Sequence, residues 1–357
     1  MRKIILPINN PPILAYQYLA FPLSILSTQE QYLPWFYSNY IQLICKKNIT
    51  LSNTVFLDFY SHVFEENFNE TVFFTCHPFL EIKNLVLPSN VLSADLFFSM
   101  LIEKYYVYLK LNEFFLPNRS AFQRDHYFHD NLLHGVDEKN KEAFFFGFNK
   151  NKNYSSDSLS FEKFELALES TVKNFRIEKE TSLFSCTLFR ARLNGQYSFD
   201  LKLVLESLQD YIIPRNSSIN FANIKNIQNT DAYAFGIEIY STLNEYLGLL
   251  SEKKVNFDIR PFQLLWEHKK CMVSRVSFIK TLYKDFDPNA ELSRMFKEIE
   301  QQSLLLRNLM LLALNKSDPA ASEKMQVRLT NILKLERISI VLLIEQLIKI
   351  MENYDLS

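Results

Sequence analysis

A short segment with three histidines is the first feature of the sequence that is capable of chemistry. It contains His126, His129 and His134. Histidine titrates near neutral pH, so it serves as an acid, a base or a metal ligand. On a strand these three side chains point in different directions, unlike the paired histidines of a helical zinc motif, so we predict no metal site. His129 is either a functional residue or a hydrogen-bonded structural histidine.

The cysteines are the candidate nucleophiles of the chain, and they are widely separated: Cys45, Cys76, Cys186 and Cys271. No CxxC pair occurs, which argues against disulfides and structural zinc and favours a reducing, cytoplasmic location. Cys76 is better placed for reactivity than Cys45, because a neighbouring imidazolium of His77 would lower the pKa of its thiol. Adjacent side chains of a strand point apart, however, which favours an unreactive Cys76. Cys45 lies in an apolar run, where a free cysteine usually packs as a small hydrophobe.

The elements that would position these residues are strands in the first half of the chain. From Leu33 to about Arg190, short apolar runs such as YYVYLKL and EAFFFGF alternate with polar residues, and the content of 32 Phe and 18 Tyr favours strands. Two helices are predicted between them, capped by Ser93 and Ser160. A two-residue period places His129 and Asn131 on one face of their strand.

The second half of the chain changes to a helical period after a polar stretch over residues 214–231. Helices are predicted to begin at aspartates that cap them or precede a proline: Asp231, Asp258, Asp287 and Asp318. The sequence therefore predicts an α+β domain over residues 1–213 and an all-α helical domain over residues 214–357. A polar patch of Glu267, His268, Lys269, Lys270 and Arg275 is predicted to be a solvated helix face, with contact to an acidic partner as the alternative.

Composition excludes several classes of function. The formal net charge of -1 offers no field for nucleic acid or anionic membranes, and no long apolar run predicts a membrane span. Only five glycines occur, so neither a GxGxxG nor a GxxxxGK[ST] loop can be formed. We therefore predict no cofactor, no nucleic-acid partner and no membrane partner, and the sequence makes no prediction of oligomeric state.

Residues 105–148 resemble the central signature of the butirosin biosynthesis protein H N-terminal family. Members have a strand ending in an acidic or amide residue, a Leu-Pro turn, a His-containing strand ending in Gly-Tyr-Asp, and an aromatic strand. The corresponding residues here are Asn112, Phe115–Pro117, His129, Gly135–Asp137 and Phe144–Phe148. The segments FQLLWEHKKCMVSRVSFI and LLLRNLMLLAL also resemble the helical domain that follows in such proteins.

The resemblance implies a papain-like fold related to bacteriocin-leader peptidases, and an accessory role in nonribosomal-peptide or other natural-product pathways. The namesake of the family transfers an acyl group from a carrier-protein thioester to an amine. Such chemistry needs a thiolate at the start of the first core helix, a histidine as its base and a group that orients the imidazole. His129 fits the base, and Asn149 is the candidate orienting residue.

The chain departs from the family at the nucleophile. No cysteine occurs near the first helix, so Cys45, Cys76 and, more weakly, Ser24 are the candidates that remain. One hypothesis is thiol-dependent acyl transfer with an acyl or peptidyl carrier protein and a small-molecule or peptide substrate. A second is a catalytically inactive scaffold that binds a carrier domain or peptide. A third is a leader-type peptidase, in which water replaces the amine.

Overall fold

The computed structural model describes residues 2–61, 77–178, 183–221, 224, 226, 227, 229–286, 290–313 and 319–355. The chain forms two compact units. The sheet unit comprises residues 1–12, 16–32 and 67–197, and the helical unit comprises residues 13–15, 33–66 and 198–357. Among the helices in the described ranges, none is apolar over a stretch long enough to cross a lipid bilayer.

The strands and helices are numbered in chain order. The strands are β1 (Lys3–Ile5), β2 (Leu43–Lys46), β3 (Leu57–Phe59), β4 (Leu80–Pro88), β5 (Tyr106–Asn112), β6 (Phe128–Asp137), β7 (Glu142–Phe148), β8 (Tyr154–Ser160), β9 (Leu183–Ala191) and β10 (Tyr233–Phe235). The helices are α1 (Gln17–Leu26), α2 (Leu33–Asn39), α3 (Ile49–Ser52), α4 (Ala94–Ile102), α5 (Phe161–Glu178), α6 (Leu201–Ile212), α7 (Ile239–Ser251), α8 (Arg260–Leu282), α9 (Ala290–Ala313) and α10 (Pro319–Asp355).

An antiparallel sheet organises the sheet unit. Its strands lie in the order β4-β9-β5-β6-β7-β8, and β1 pairs with β6. Helix α1 contacts β6 and β9, and every residue of this helix is buried. Because all of its sides are buried, including the polar Gln17 and Ser24, α1 forms the core of this unit. The α+β class predicted from the sequence is confirmed.

Both serine caps predicted in the sheet unit are present. The Leu96 backbone N–H donates to Ser93 Oγ at 3.2 Å at the start of α4. The Lys163 N–H donates to Ser160 Oγ at 3.4 Å at the start of α5. Each hydroxyl therefore satisfies one of the amide groups that a helix start leaves without an intrahelical acceptor.

The helical unit contains α6 to α10 and a small antiparallel sheet in the order β10-β2-β3. It also contains residues 33–66 and helix α6, which the predicted boundary at residue 213 assigned to the first domain. Helix α8 begins at Arg260, two residues after the predicted start; its N-cap residue is Ile259, and Asp258 Oδ1 accepts the Arg260 N–H at 2.9 Å. The capping positions Asp287 and Asp318 lie outside the described residues.

The predicted helix start at Asp231 is wrong. Residues 233–235 form β10, which is buried and pairs with β2, and α7 begins only at Ile239. Tertiary pairing overrides helix propensity here, since Tyr233 and Phe235 suit a pleated, buried surface. Gly236 follows with a φ of +51°, and a Cβ at this position would lie 2.1 Å from the Tyr211 carbonyl oxygen. Only glycine fits this turn.

Candidate functional site

A buried arginine is the centre of the candidate site in the sheet unit. Arg119 lies in the loop between β5 and β6 and is 4% exposed. Its Nη1 donates to Asp157 Oδ2 at 3.1 Å, and its Nη2 donates to Asn131 Oδ1 at 3.1 Å. Glu113 Oε1 lies 3.8 Å from its Nε. The side chains come from the β5 end, β6 and β8, so the sheet fixes their positions.

His129 joins this group through Glu113. The Nδ1 atom of His129 lies 3.2 Å from Glu113 Oε1, and the imidazole stacks on Tyr127 with ring centroids 4.9 Å apart. The histidine side chain is 33% exposed, whereas the glutamate is 8% exposed. The other ring nitrogen, Nε2, bonds to none of the described residues. A carboxylate that orients one imidazole nitrogen while the other faces outward is the arrangement of a base and its orienting group.

Helix α1 begins beside the same group. A side chain at Gly147 on β7 would place its Cβ 3.2 Å from Arg119 Nη2 and 3.4 Å from Gln17 Nε2, so glycine leaves this space open. Gln17 is the first residue of α1 and is 8% exposed. Its Oε1 is buried and accepts no hydrogen bond from the described part of the chain. An unpaired buried acceptor is costly and marks a place for a ligand donor or a water.

Burial and the neighbouring charges shift the pKa of Arg119 in opposite directions. Burial lowers the pKa of its guanidinium, while the carboxyl groups of Glu113 and Asp157 raise it. The group contains two carboxyl groups and one guanidinium, so its formal charge is negative. It is therefore suited to hold a ligand that presents N–H groups.

The other two histidines have separate structural partners. His126 Nδ1 lies 2.8 Å from Asn112 Nδ2, and its ring stacks on Phe114. His134 is buried between the Leu6 carbonyl oxygen and Ser156 Oγ, and burial lowers the pKa of its imidazole. Within the described ranges, no group of three or more His, Cys, Asp or Glu side chains is arranged to hold a metal ion.

The structure describes three of the four cysteines, and all three are buried: Cys45, Cys186 and Cys271. Burial raises the pKa of the Cys186 and Cys271 thiols to about 12, and that of Cys45 further still. Cys45 lies on β2 in the helical unit, whereas His129 belongs to the sheet unit. Thiols of this kind are poor nucleophiles, because the thiolate is the reactive form. Cys76 lies outside the described residues.

Two further predicted residues have other roles. Asn149 was predicted to orient His129, but its Nδ2 donates to Ser155 Oγ and its Oδ1 accepts N–H groups of Asn151 and Asn153. It holds the turn between β7 and β8, and Glu113 takes the place beside His129. Ser24, the hydroxyl alternative, is fully buried in α1 and donates to the Ala20 carbonyl oxygen at 2.8 Å.

The polar patch predicted on α8 is not a solvated surface. Glu267, His268, Lys269 and Arg275 are all at most 2% exposed, and only Lys270 faces solvent. Arg275 donates to the Tyr37 and Tyr40 carbonyl oxygens at 2.7 and 2.6 Å. These buried residues therefore form hydrogen bonds inside the helical unit, and a carrier protein cannot contact them there.

Lys269 is the centre of a buried hydrogen-bonded network. Its Nζ lies 2.6 Å from Glu336 Oε1 on α10, 3.1 Å from the Tyr211 hydroxyl and 3.0 Å from His268 Nδ1. The Tyr240 hydroxyl donates to Glu336 Oε2 at 2.5 Å. Burial lowers the pKa of Lys269, and the Glu336 charge raises it. All three ammonium protons thus have acceptors, which is the condition for retaining a buried charge.

Glu267 predicts a pH dependence of stability. Burial raises the pKa of its carboxyl to about 7, against the hydrogen bonds from Gln263 and from the Leu14 and Ala15 N–H groups. The folded protein then binds more protons than the unfolded chain between pH 4.5 and 7. The neutral Glu267 carboxyl therefore favours the folded state fully below pH 4.5, the pKa in the unfolded chain. As the pH rises from there through 7, the free energy of unfolding falls by about 3 kcal/mol.

The variant Glu267→Gln tests this expectation, because its amide does not titrate in that range. We expect the free energy of unfolding, measured with urea, to fall between pH 4.5 and 7 in the wild type relative to the variant. Parallel pH profiles of the two proteins would show that Glu267 titrates normally in the fold.

Sequence reasoning missed Gln17, Glu113 and Arg119. One signal was present: Glu113 and Arg119 flank the apolar segment 114–117, and a solvated loop would not need so many apolar residues. Gln17 gave no signal beyond its place in an apolar segment. No protein-family model matches the chain, and no curated protein matches it at a significant level. The family resemblance of residues 105–148 therefore stays a prediction.

Proposed function

We propose that this chain is a papain-like accessory protein of natural-product biosynthesis that binds a carrier-bound or peptide substrate without thiol catalysis. The observation that carries the proposal is the start of α1. In the implied fold this position holds the thiolate, and here it holds Gln17 beside Arg119. The thiols of Cys45, Cys186 and Cys271 are buried and have raised pKa values.

The arrangement of the sheet unit supports the papain-like part of the proposal. A buried helix packs against an antiparallel sheet, and the helix begins beside side chains of the central strands. His129 lies on β6 with a carboxylate partner, as a base would. Under this proposal His129 and Glu113 keep the positions of a base and its orienting group, while the helix starts with Gln17 instead of a cysteine.

The chemistry of the site favours a ligand with amide or amine N–H groups. Gln17 Oε1 is a buried acceptor without a donor among the described residues, and the carboxyl groups of Glu113 and Asp157 outnumber the Arg119 guanidinium. A peptide and the amide-containing arm of a carrier protein both present such donors. A small-molecule amine would be attracted by the same acceptors.

Binding of a fluorescent acyl-carrier protein, followed by anisotropy, tests the proposal. We expect binding by the wild type that is unchanged within about twofold in Cys76→Ser and in a variant lacking all four cysteines. Gln17→Ala should weaken binding by about tenfold, the equivalent of one hydrogen bond to a buried group. No thioester turnover above background is expected. Binding that is lost only when Cys76 is replaced would contradict the proposal.

Thiol-dependent acyl transfer is the second candidate, because the His129–Glu113 pair has the geometry of a base with its orienting group. In that case Cys76 is the nucleophile, and an amine, or water in a peptidase, is the acceptor. The same assay distinguishes the two functions. Turnover by the wild type that falls at least about 100-fold in both His129→Ala and Cys76→Ser would establish the second candidate over the first.

A further inference from the structure

Helix α10 has an exposed apolar face. Val327, Ile338, Val341 and Ile348 are 56%, 55%, 41% and 36% exposed. They belong to a series of exposed positions with alternating spacings of four and three residues, in which the other four members are polar or charged: Asn331, Lys334, Glu345 and Glu352. This spacing is typical of the seam between two helices that pack along their length. Isolated exposed apolar residues are ordinary, but a seam of this regularity indicates a packing surface.

The charges on this face are arranged symmetrically. Lys334 lies four residues before Ile338, and Glu345 lies four residues after Val341. If two copies of α10 pack antiparallel about a two-fold axis between Ile338 and Val341, each Ile338 meets the Val341 of the other copy. Each Lys334 then meets a Glu345. A parallel pair would instead bring Lys334 against Lys334 and Glu345 against Glu345.

Both charged residues are available for such pairing. Lys334 and Glu345 are exposed, and neither forms an ion pair with any residue that the structure describes. We propose that a second copy of this chain packs on this face, with the two α10 helices antiparallel. A two-fold interface must be complementary to itself, and opposite charges at equal distances from its centre meet this requirement.

The size of the seam indicates a modest affinity. From Val327 to Glu352 it extends for about 38 Å at 1.5 Å per residue. One helix pair is small beside a permanent interface, so we expect self-association with a Kd of about 1–100 µM.

Charge reversal tests both the partner and the orientation. Lys334→Glu and Glu345→Lys each place like charges opposite one another in the antiparallel homodimer, so we expect each variant to associate at least about tenfold more weakly. An equimolar mixture of the two variants restores both opposite-charge contacts. We expect the mixture to associate within about threefold of the wild type in sedimentation equilibrium.

The control is Lys173→Glu, which makes the same charge change at an exposed position of α5 in the sheet unit and should associate as the wild type does. Circular dichroism establishes that each variant is folded. A wild-type protein that is monomeric at about 100 µM would overturn the proposal. So would single reversals that associate normally, or a mixture of folded variants that fails to recover association.

Discussion

Lys269→Met is expected to destabilise the protein by about 3–5 kcal/mol, since it leaves the buried Glu336 carboxylate without its counter-charge. The two side chains are each 1% exposed, and their charged atoms are 2.6 Å apart. The loss should appear in urea denaturation as a lower midpoint with an unchanged slope. Lys270→Met is the matched control on the same helix, and because Lys270 faces solvent it should change stability by less than about 1 kcal/mol.

A second substitution separates lost charge from lost packing. Glu336→Gln keeps an acceptor for the Tyr211 and Tyr240 hydroxyls but removes the negative charge. In the background of Lys269→Met it should therefore recover at least about 1 kcal/mol, which is a coupling expected of residues in one network. If the two losses simply add, the buried pair is not the source of the effect.

Arg119→Met is expected to cost about 3–5 kcal/mol by the same physics in the sheet unit. The substitution removes the guanidinium that bonds Asn131 and Asp157 and faces Glu113, while it keeps a side chain of similar length. Arg119→Lys retains the charge, but one ammonium group does not reproduce the planar fork, so we expect roughly half of the loss.

Arg124→Met controls for this measurement, because Arg124 is an exposed arginine of the same loop. Its free energy of unfolding should stay within about 0.5 kcal/mol of the wild type. A loss below about 1 kcal/mol for Arg119→Met would mean that water replaces the guanidinium, and that the site is more open than the buried arginine indicates.

Local patterns in the sequence predicted the elements better than the site. Ser93 and Ser160 were recognised as caps because a cap depends on residues within one turn. The two-residue period placed His129 and Asn131 on one face of β6, and the structure finds both beside the Arg119 group. Their partners could not be predicted, since Glu113 and Arg119 reach them across the sheet from a loop.

The largest error of the sequence-based prediction was to place the charged residues of α8 on the surface. Residues 267–270 resemble a solvated helix face because glutamate and lysine at helical spacing are usually exposed. The residues that bury Lys269 are Tyr211, Tyr240 and Glu336, which are far from it in the sequence. Similarly, Asp231 resembled a helix cap, and only pairing with β2 makes the following residues a strand.

The division of the chain between the two units has a consequence for protein synthesis. The sheet unit ends at residue 197, so the ribosome has made all of it while most of the helical unit is still missing. Residues 33–61 must then wait for later partners, because β2 pairs with β10 and the Tyr37 and Tyr40 carbonyl oxygens accept hydrogen bonds from Arg275. N-terminal units usually fold first during translation. The helical unit is therefore expected to fold last. Until then, strand β2 has no β10 to pair with, and the nascent chain must avoid non-native pairing of this strand.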